Sequence, residues 1–251
     1  MNVIKSSANM KSSPDDETFL ETECLFGETV EILDKYKTWI YCRLMTDDYK
    51  GWVKEENLGF LKSPTHRVIV KRTFIYADKD PKSNCFLYLS MGSKLTIKKM
   101  FSNWAEVFLS WNNYLITGYV PTNHVVNLNH KMKDWVSKAE QLIETPYKWG
   151  GRDTIGLDCS ALLQIAYETF GETIPRNTID QVNIMKKEVK DLSLLKRGFV
   201  IFWKGHVGIM TDNLNCIHAN AYHMKTVVEP LSKIIERMGN QNRIIKILNF
   251  N

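Results

Sequence analysis

Along the first half of the chain, apolar and polar positions alternate in short runs. Polar turns such as Thr46-Asp47-Asp48 and Trp111-Asn112-Asn113 separate them. This pattern predicts short strands of small β-barrels. Past residue 130 the period lengthens. Trp135, Val136, Ala139, Leu142 and Ile143 fall on one helical face, and Pro146 ends that helix. A glycine-punctuated loop, Tyr147 to Leu157, leads into Cys159 and the apolar run Ala161 to Ala166, which predicts a second helix stopping near Gly171. A further amphipathic piece is expected over Ile179 to Val189. Phe199 to Met210 then reads as two β-runs with a Lys-Gly turn between them, and Asn215 to Asn220 as another run pairing beside them. Helices first and antiparallel strands after predict an α+β domain.

An internal repeat organises the first half. Gly27-x-x-Val30-x-Ile32 followed by Trp39 to Leu44 matches Gly92-x-x-Leu95-x-Ile97 followed by Trp104 to Leu109, with a glycine-to-tryptophan distance of 12 in both copies. Gly51-Trp52-Val53 matches Gly118-Tyr119-Val120, so the offset grows from 65 to 67 and places two extra residues in the second copy's hairpin. Turn formers and charges at Ser63-Pro64-Thr65 and near Asn127 to Lys131 mark boundaries. Three segments follow: 1–63 with the first barrel, 64–128 with the second, and 129–251.

Composition narrows the function. With 251 residues, 44% hydrophobic and 24% charged, the chain is long enough to bury a sizeable core. The net charge of +5 comes from 33 basic and 28 acidic residues without a dense basic block, which disfavours a nucleic-acid partner. Five cysteines (Cys24, Cys42, Cys85, Cys159, Cys216) at wide spacing, with no C-x-x-C, point to a reducing compartment and to no metal or other cofactor. Residues 1–14 contain no apolar signal core, and no run is long enough to span a bilayer. The sequence as written is therefore expected in the cytoplasm, away from membranes.

Chemistry concentrates at Cys159. In the first turn of a helix, unpaired N–H groups and the positive end of the helix dipole favour a thiolate; the competing reading is a small buried hydrophobe. His206 opens one strand and His218 lies 12 positions on. Nucleophile, base and an orienting polar group are the minimum for thiol catalysis. The Cys159 backbone N–H and the Tyr147 hydroxyl are the expected oxyanion donors. Asp158 beside a thiolate is costly unless it serves a cation such as a substrate amine, or caps the helix, or both. Trp149 reads either as a pocket wall or as a loop tryptophan packed into the core.

The motifs Tyr147-x-Trp149-Gly150-Gly151, Asp158-Cys159-Ser160, Pro175-Arg176-x-Thr178-x-x-Gln181, His206-Val207-Gly208-Ile209 and His218-Ala219 resemble the NlpC/P60 cysteine peptidases of the papain-like superfamily, over residues from about 130 onward. One departure is visible: Phe199 follows Gly198 where the family often has an acidic residue. The repeated barrels look like bacterial SH3-type modules. Two of them before an NlpC/P60 domain resemble the layout of γ-D-glutamyl-L-diamino-acid endopeptidases. The resemblance implies a papain-like catalytic domain with Cys159, His206 and His218 as its catalytic set. It also implies that Asp158 and Ser160, with Tyr49 and Glu21 of the first module, capture the free amino group of an N-terminal L-alanine. Arg176 and Thr178 are expected to meet a substrate carboxylate and a backbone group, unless Thr178 merely starts a capped helix. The implied substrate is a free murein peptide, L-Ala-γ-D-Glu-diaminopimelate, cut before the diamino acid. Alternatives are a lytic endopeptidase on intact peptidoglycan, an amidase or acyltransferase on the same fold, and a non-catalytic wall-binding protein.

Overall fold

The computed structural model describes residues 1–111, 114–240 and 242–250, with the side chain of Trp111 left aside. The Asn112-Asn113 part of the expected turn lies outside the described residues. The chain divides into two compact units: Met1–Lys131 with Gly150–Thr154, and Met132–Trp149 with Ile155–Asn251.

In the first unit the repeat is visible in the hydrogen bonding. Strands β1 (Ser7–Lys11), β2 (Leu20–Leu25), β3 (Val30–Tyr36), β4 (Trp39–Leu44) and β5 (Lys50–Lys54) form a sheet in the order β2-β1-β5-β4-β3. Strands β6 (Arg72–Tyr76), β7 (Cys85–Ser90), β8 (Ile97–Met100), β9 (Trp104–Trp111) and β10 (Tyr114–Pro121) repeat it as β7-β6-β10-β9-β8. Each copy closes with a 3-10 turn, Glu55–Asn57 and Thr122–His124, again 67 residues apart. The two-residue insertion lengthens the β9–β10 hairpin, paired out to Trp111 and Tyr114. Inward positions of each copy bury their own core, Met10, Ile40 and Val53 in one and Ile75, Leu109 and Val120 in the other.

The repeated glycines have a backbone reason. Gly27 and Gly92 sit at φ +78° and +90°, which an L side chain rarely adopts. A Cβ on Gly27 would also lie 1.9 Å from the Lys94 carbonyl oxygen. Strain and overlap add, so Gly27→Ala is expected to cost on the order of 3 kcal/mol or more, read as a lowered first transition in thermal unfolding.

The segment expected to belong wholly to the third domain gives up residues 150–154 to the first unit. Arg152, fully buried, donates from Nη1 and Nη2 to Glu28 at 2.9 and 3.1 Å. Its backbone N–H and that of Asp153 both reach Glu23 Oε2. Burial alone would push the Glu28 carboxyl up, but Arg152, Lys94 and the Leu25 N–H hold it below its ordinary value.

The second unit is the expected α+β arrangement. Helices α1 (Val136–Glu140), α2 (Cys159–Glu168) and α3 (Thr178–Gln181) precede the strands β11 (Lys187–Glu188), β12 (Phe199–Trp203), β13 (His206–Met210), β14 (Asn215–Asn220) and β15 (Lys225–Pro230). Helix α4 (Leu231–Met238) and β16 (Lys246–Asn249) complete it, and the antiparallel sheet runs β11-β16-β12-β13-β14-β15. All ten residues of α2 are buried, and the helix packs on β13, β14 and α1. Trp135 and Phe250 cover Tyr167 of α2, with ring centroids at 5.1 and 4.9 Å. The amphipathic helix expected over Ile179 to Val189 is shorter: only α3 is helical, and β11 pairs with β16. Among the described residues no helix is long and apolar enough to cross a membrane.

Candidate active site

Helix α2 starts where it does because Asp158, in extended conformation, accepts the Ala161 N–H at 2.9 Å. Cys159 is thus the first helical residue, and its own N–H has no intrahelical acceptor. The Asp158 carboxylate is also gripped by Arg176, Nη1 to Oδ1 at 2.9 Å and Nη2 to Oδ2 at 2.7 Å. Ser160 Oγ donates to Asp158 at 3.0 Å and accepts from Arg176 at 2.7 Å. Gln181 of α3 ties this knot to the helix by donating to the Ser160 and Pro175 carbonyls.

This network corrects two expectations. Arg176, 2% exposed and bidentate on Asp158, is turned inward rather than toward a substrate carboxylate. Burial, then the Asp158 charge, pushes the Cys159 thiol up to about 12, outweighing the Val207 N–H, Arg176 and the Ser160 N–H of the helix start, which lower it.

The Val207 N–H that reaches the Cys159 sulfur belongs to β13, whose first residue is His206. The tight Trp203-Lys204-Gly205-His206 turn sets Trp203 beside the His206 ring at 5.7 Å. His206 Nε2 lies 2.8 Å from His218 Nδ1 on β14. Burial, then His218, lowers His206 to about 3, so the imidazole is neutral and open to a proton. The Tyr147 hydroxyl is raised by burial, then by its closeness to Cys159 and Asp158, and stays a donor.

The NlpC/P60 family matches residues 144–241, the stretch that holds Cys159, His206 and His218. The chain carries an NlpC/P60 domain. A bacterial dipeptidyl-peptidase SH3 domain matches residues 10–58, the first barrel. The chain is 28% identical to dipeptidyl-peptidase 6 of Lysinibacillus sphaericus over 87% of its own length and 86% of that protein. It is 26% identical to a γ-D-glutamyl-L-lysine dipeptidyl-peptidase of Bacillus subtilis, over 80% of this chain and 72% of the other. An NlpC/P60 family protein from Bacillus cereus shares the fold, with a TM-score of 0.80, 20% identity and 92% and 93% of the two chains covered.

Within the NlpC/P60 domain the structure gathers Tyr147, Asp158, Cys159, Ser160 and Arg176 around the start of α2, with His206 and His218 on the adjoining strands. Trp149 is 73% exposed, which removes the core-packing reading. Thr178 is the first residue of α3, half-buried, and the cap position Asn177 makes no side-chain cap bond. In the first unit Tyr49 donates to Glu21 Oε2 at 3.2 Å, so the two residues named for amine capture meet each other across 28 positions.

Reading the sequence misses Glu229, Asn220 and Arg237. Glu229 Oε1 lies 2.8 Å from His218 Nε2, and Arg237 of α4 grips the same carboxylate. An acidic residue before Pro230 at a strand end reads as ordinary surface. Only the β14–β15 register, which puts His218 opposite Val227 and Cys216 opposite Glu229, brings it to the ring.

Proposed function

We propose that this protein is a cysteine endopeptidase that hydrolyses the γ-D-glutamyl to L-diamino-acid bond of free murein peptides carrying an unblocked N-terminal L-alanine, in recycling of cell-wall peptides in the cytoplasm. The observation that supports it most is the hydrogen-bonded His206–His218 pair on strands beside Cys159 at the start of a capped helix, inside a domain whose relatives are dipeptidyl-peptidases.

In this mechanism His206 acts as general base while Cys159 attacks, because both rest neutral. The sulfur bonds to the γ-carbonyl carbon as its proton passes to His206. The Cys159 N–H and Tyr147 hydroxyl hold the developing oxyanion. Collapse breaks the C–N bond, His206 returns the proton to the leaving amine, and water then releases the dipeptide from the thioester. Asp158 and Ser160 supply the polarity for the ammonium group, and the exposed Trp149 indole lies along the substrate.

Mass spectrometry of products tests this. Free L-Ala-γ-D-Glu-diaminopimelate and its L-lysine counterpart, their N-acetylated forms and intact sacculi are compared. Free peptide is expected to yield L-Ala-D-Glu plus the diamino acid. Acetylation lowers kcat/KM by at least about 100-fold, the loss of two charge-assisted hydrogen bonds. Equal turnover of acetylated peptide overturns the amine recognition, and release of peptides from sacculi favours the lytic endopeptidase.

A further inference from the structure

A neutral imidazole carries one hydrogen on its two ring nitrogens, and His206 Nε2, His218 Nδ1 and His218 Nε2 form a hydrogen-bonded chain, so the direction of every bond in it depends on its far end. That end is Glu229. Its carboxylate is ionised and can only accept: burial would raise it, but Arg237 and His218 hold it at about 2. His218 Nε2, 2.8 Å away, must therefore carry its hydrogen. Burial keeps His218 on the neutral side, so its Nδ1 is bare and accepts. His206 Nε2, at 2.8 Å from that Nδ1, must then be the N–H, which leaves His206 Nδ1 as a lone pair. A lone pair is what a base needs.

A second contact pulls the other way. Asn220 Oδ1 accepts the His223 N–H at 2.8 Å, which turns Nδ2 toward His218 Nε2 at 3.2 Å. That amide favours a bare Nε2, which would reverse every bond and put the hydrogen on His206 Nδ1. The charge-assisted bond to Glu229 is shorter and roughly twice as strong as a neutral one, so the carboxylate decides.

We propose that Glu229, anchored by Arg237, is the positioning residue that sets the tautomers of His218 and His206, against a competing donor in Asn220. The proposal rests on the reading of His206 as the base. Its test is substrate-free at the first step: nitrogen-15 shifts of the histidine rings in the full chain at neutral pH. The wild type is expected to show His218 protonated at Nε2 and bare at Nδ1, and Glu229→Leu to show the reverse.

In turnover, Glu229→Leu should lose on the order of 1000-fold in kcat with KM changed less than about threefold, as for a wrong-tautomer base. Glu229→Gln, whose carbonyl still accepts from Nε2–H, should stay within about tenfold. A wild-type His218 protonated at Nδ1 overturns the proposal even if Glu229→Leu fails to fold. So does a folded Glu229→Leu chain with unchanged tautomers and kcat. A wild type with the expected tautomers that cleaves no murein peptide fails the proposed function and leaves the tautomer assignment standing.

Discussion

Cys159→Ala is expected to abolish peptide hydrolysis, a fall of at least about 10⁴-fold in kcat, with the fold intact. Removing the sulfur removes the bond-forming atom, and nothing else at the start of α2 can replace it. Ser160, the neighbouring hydroxyl, is held between Asp158 and Arg176. The other cysteines are poor substitutes. Cys24 and Cys42 lie in the core of the first barrel and Cys216 in the core of the second unit, so none of them stands at the start of α2. Cys85 is exposed on β7 of the second barrel. Product analysis of Cys159→Ala and Cys85→Ser, with circular dichroism of each, separates these cases. Retained turnover in Cys159→Ala sinks the nucleophile assignment, whereas retention in Cys85→Ser is expected. The raised thiol adds a second expectation. Without substrate, alkylation of Cys159 in the Cys85→Ser background should be slow at neutral pH and accelerate as pH rises, because only the thiolate reacts.

What could be read from the sequence follows from how local each feature is. The barrels were legible because alternation, turns and a repeated Gly-to-Trp spacing are short-range signals, and the Gly27 and Gly92 backbones explain why the repeat keeps glycine. The Lys204-Gly205 hairpin that aims His206 was legible for the same reason. The helix expected past Ile179 was not realised beyond Gln181. There Asn183 turns its side-chain amide back onto the Ile179 carbonyl, competing with the helical ladder, and β16 recruits Lys187–Glu188 as an edge strand. Tertiary pairing overrode amphipathic periodicity.

In the site, nucleophile and histidines were visible as ordered motifs, but their electrostatics were not. Helix position argued for a thiolate, yet the sulfur's environment is set by complete burial of α2 and by the Asp158 charge. Glu229 and the Arg152–Glu28 pair were invisible for a related reason. Arg152 and Glu28 are 124 positions apart, and Glu229 reaches His218 only through the β14–β15 register, contacts that no motif spacing encodes.

Arg176→Met is expected to destabilise the second unit by about 3–5 kcal/mol, because it strands the Asp158 carboxylate in the protein interior. Against a total stability of roughly 5–15 kcal/mol this is a large share, equivalent to about 6–20 °C in the midpoint of that unit's transition. Chemistry should suffer as well. Arg176 is one of the groups that lower the Cys159 thiol and Asp158 one that raises it. Losing the cation while keeping the anion moves the thiol further up, so the fraction that stays folded should also turn over more slowly. Adding Asp158→Asn separates the two origins. Neutralising the stranded carboxylate removes the buried charge and the anion beside the sulfur together, while an amide can still cap α2. The double variant should therefore regain much of the lost midpoint relative to Arg176→Met alone, a strongly non-additive pair. Calorimetry of the four chains measures this. A shift under about 2 °C for Arg176→Met would mean that water, rather than the guanidinium, carries the Asp158 charge.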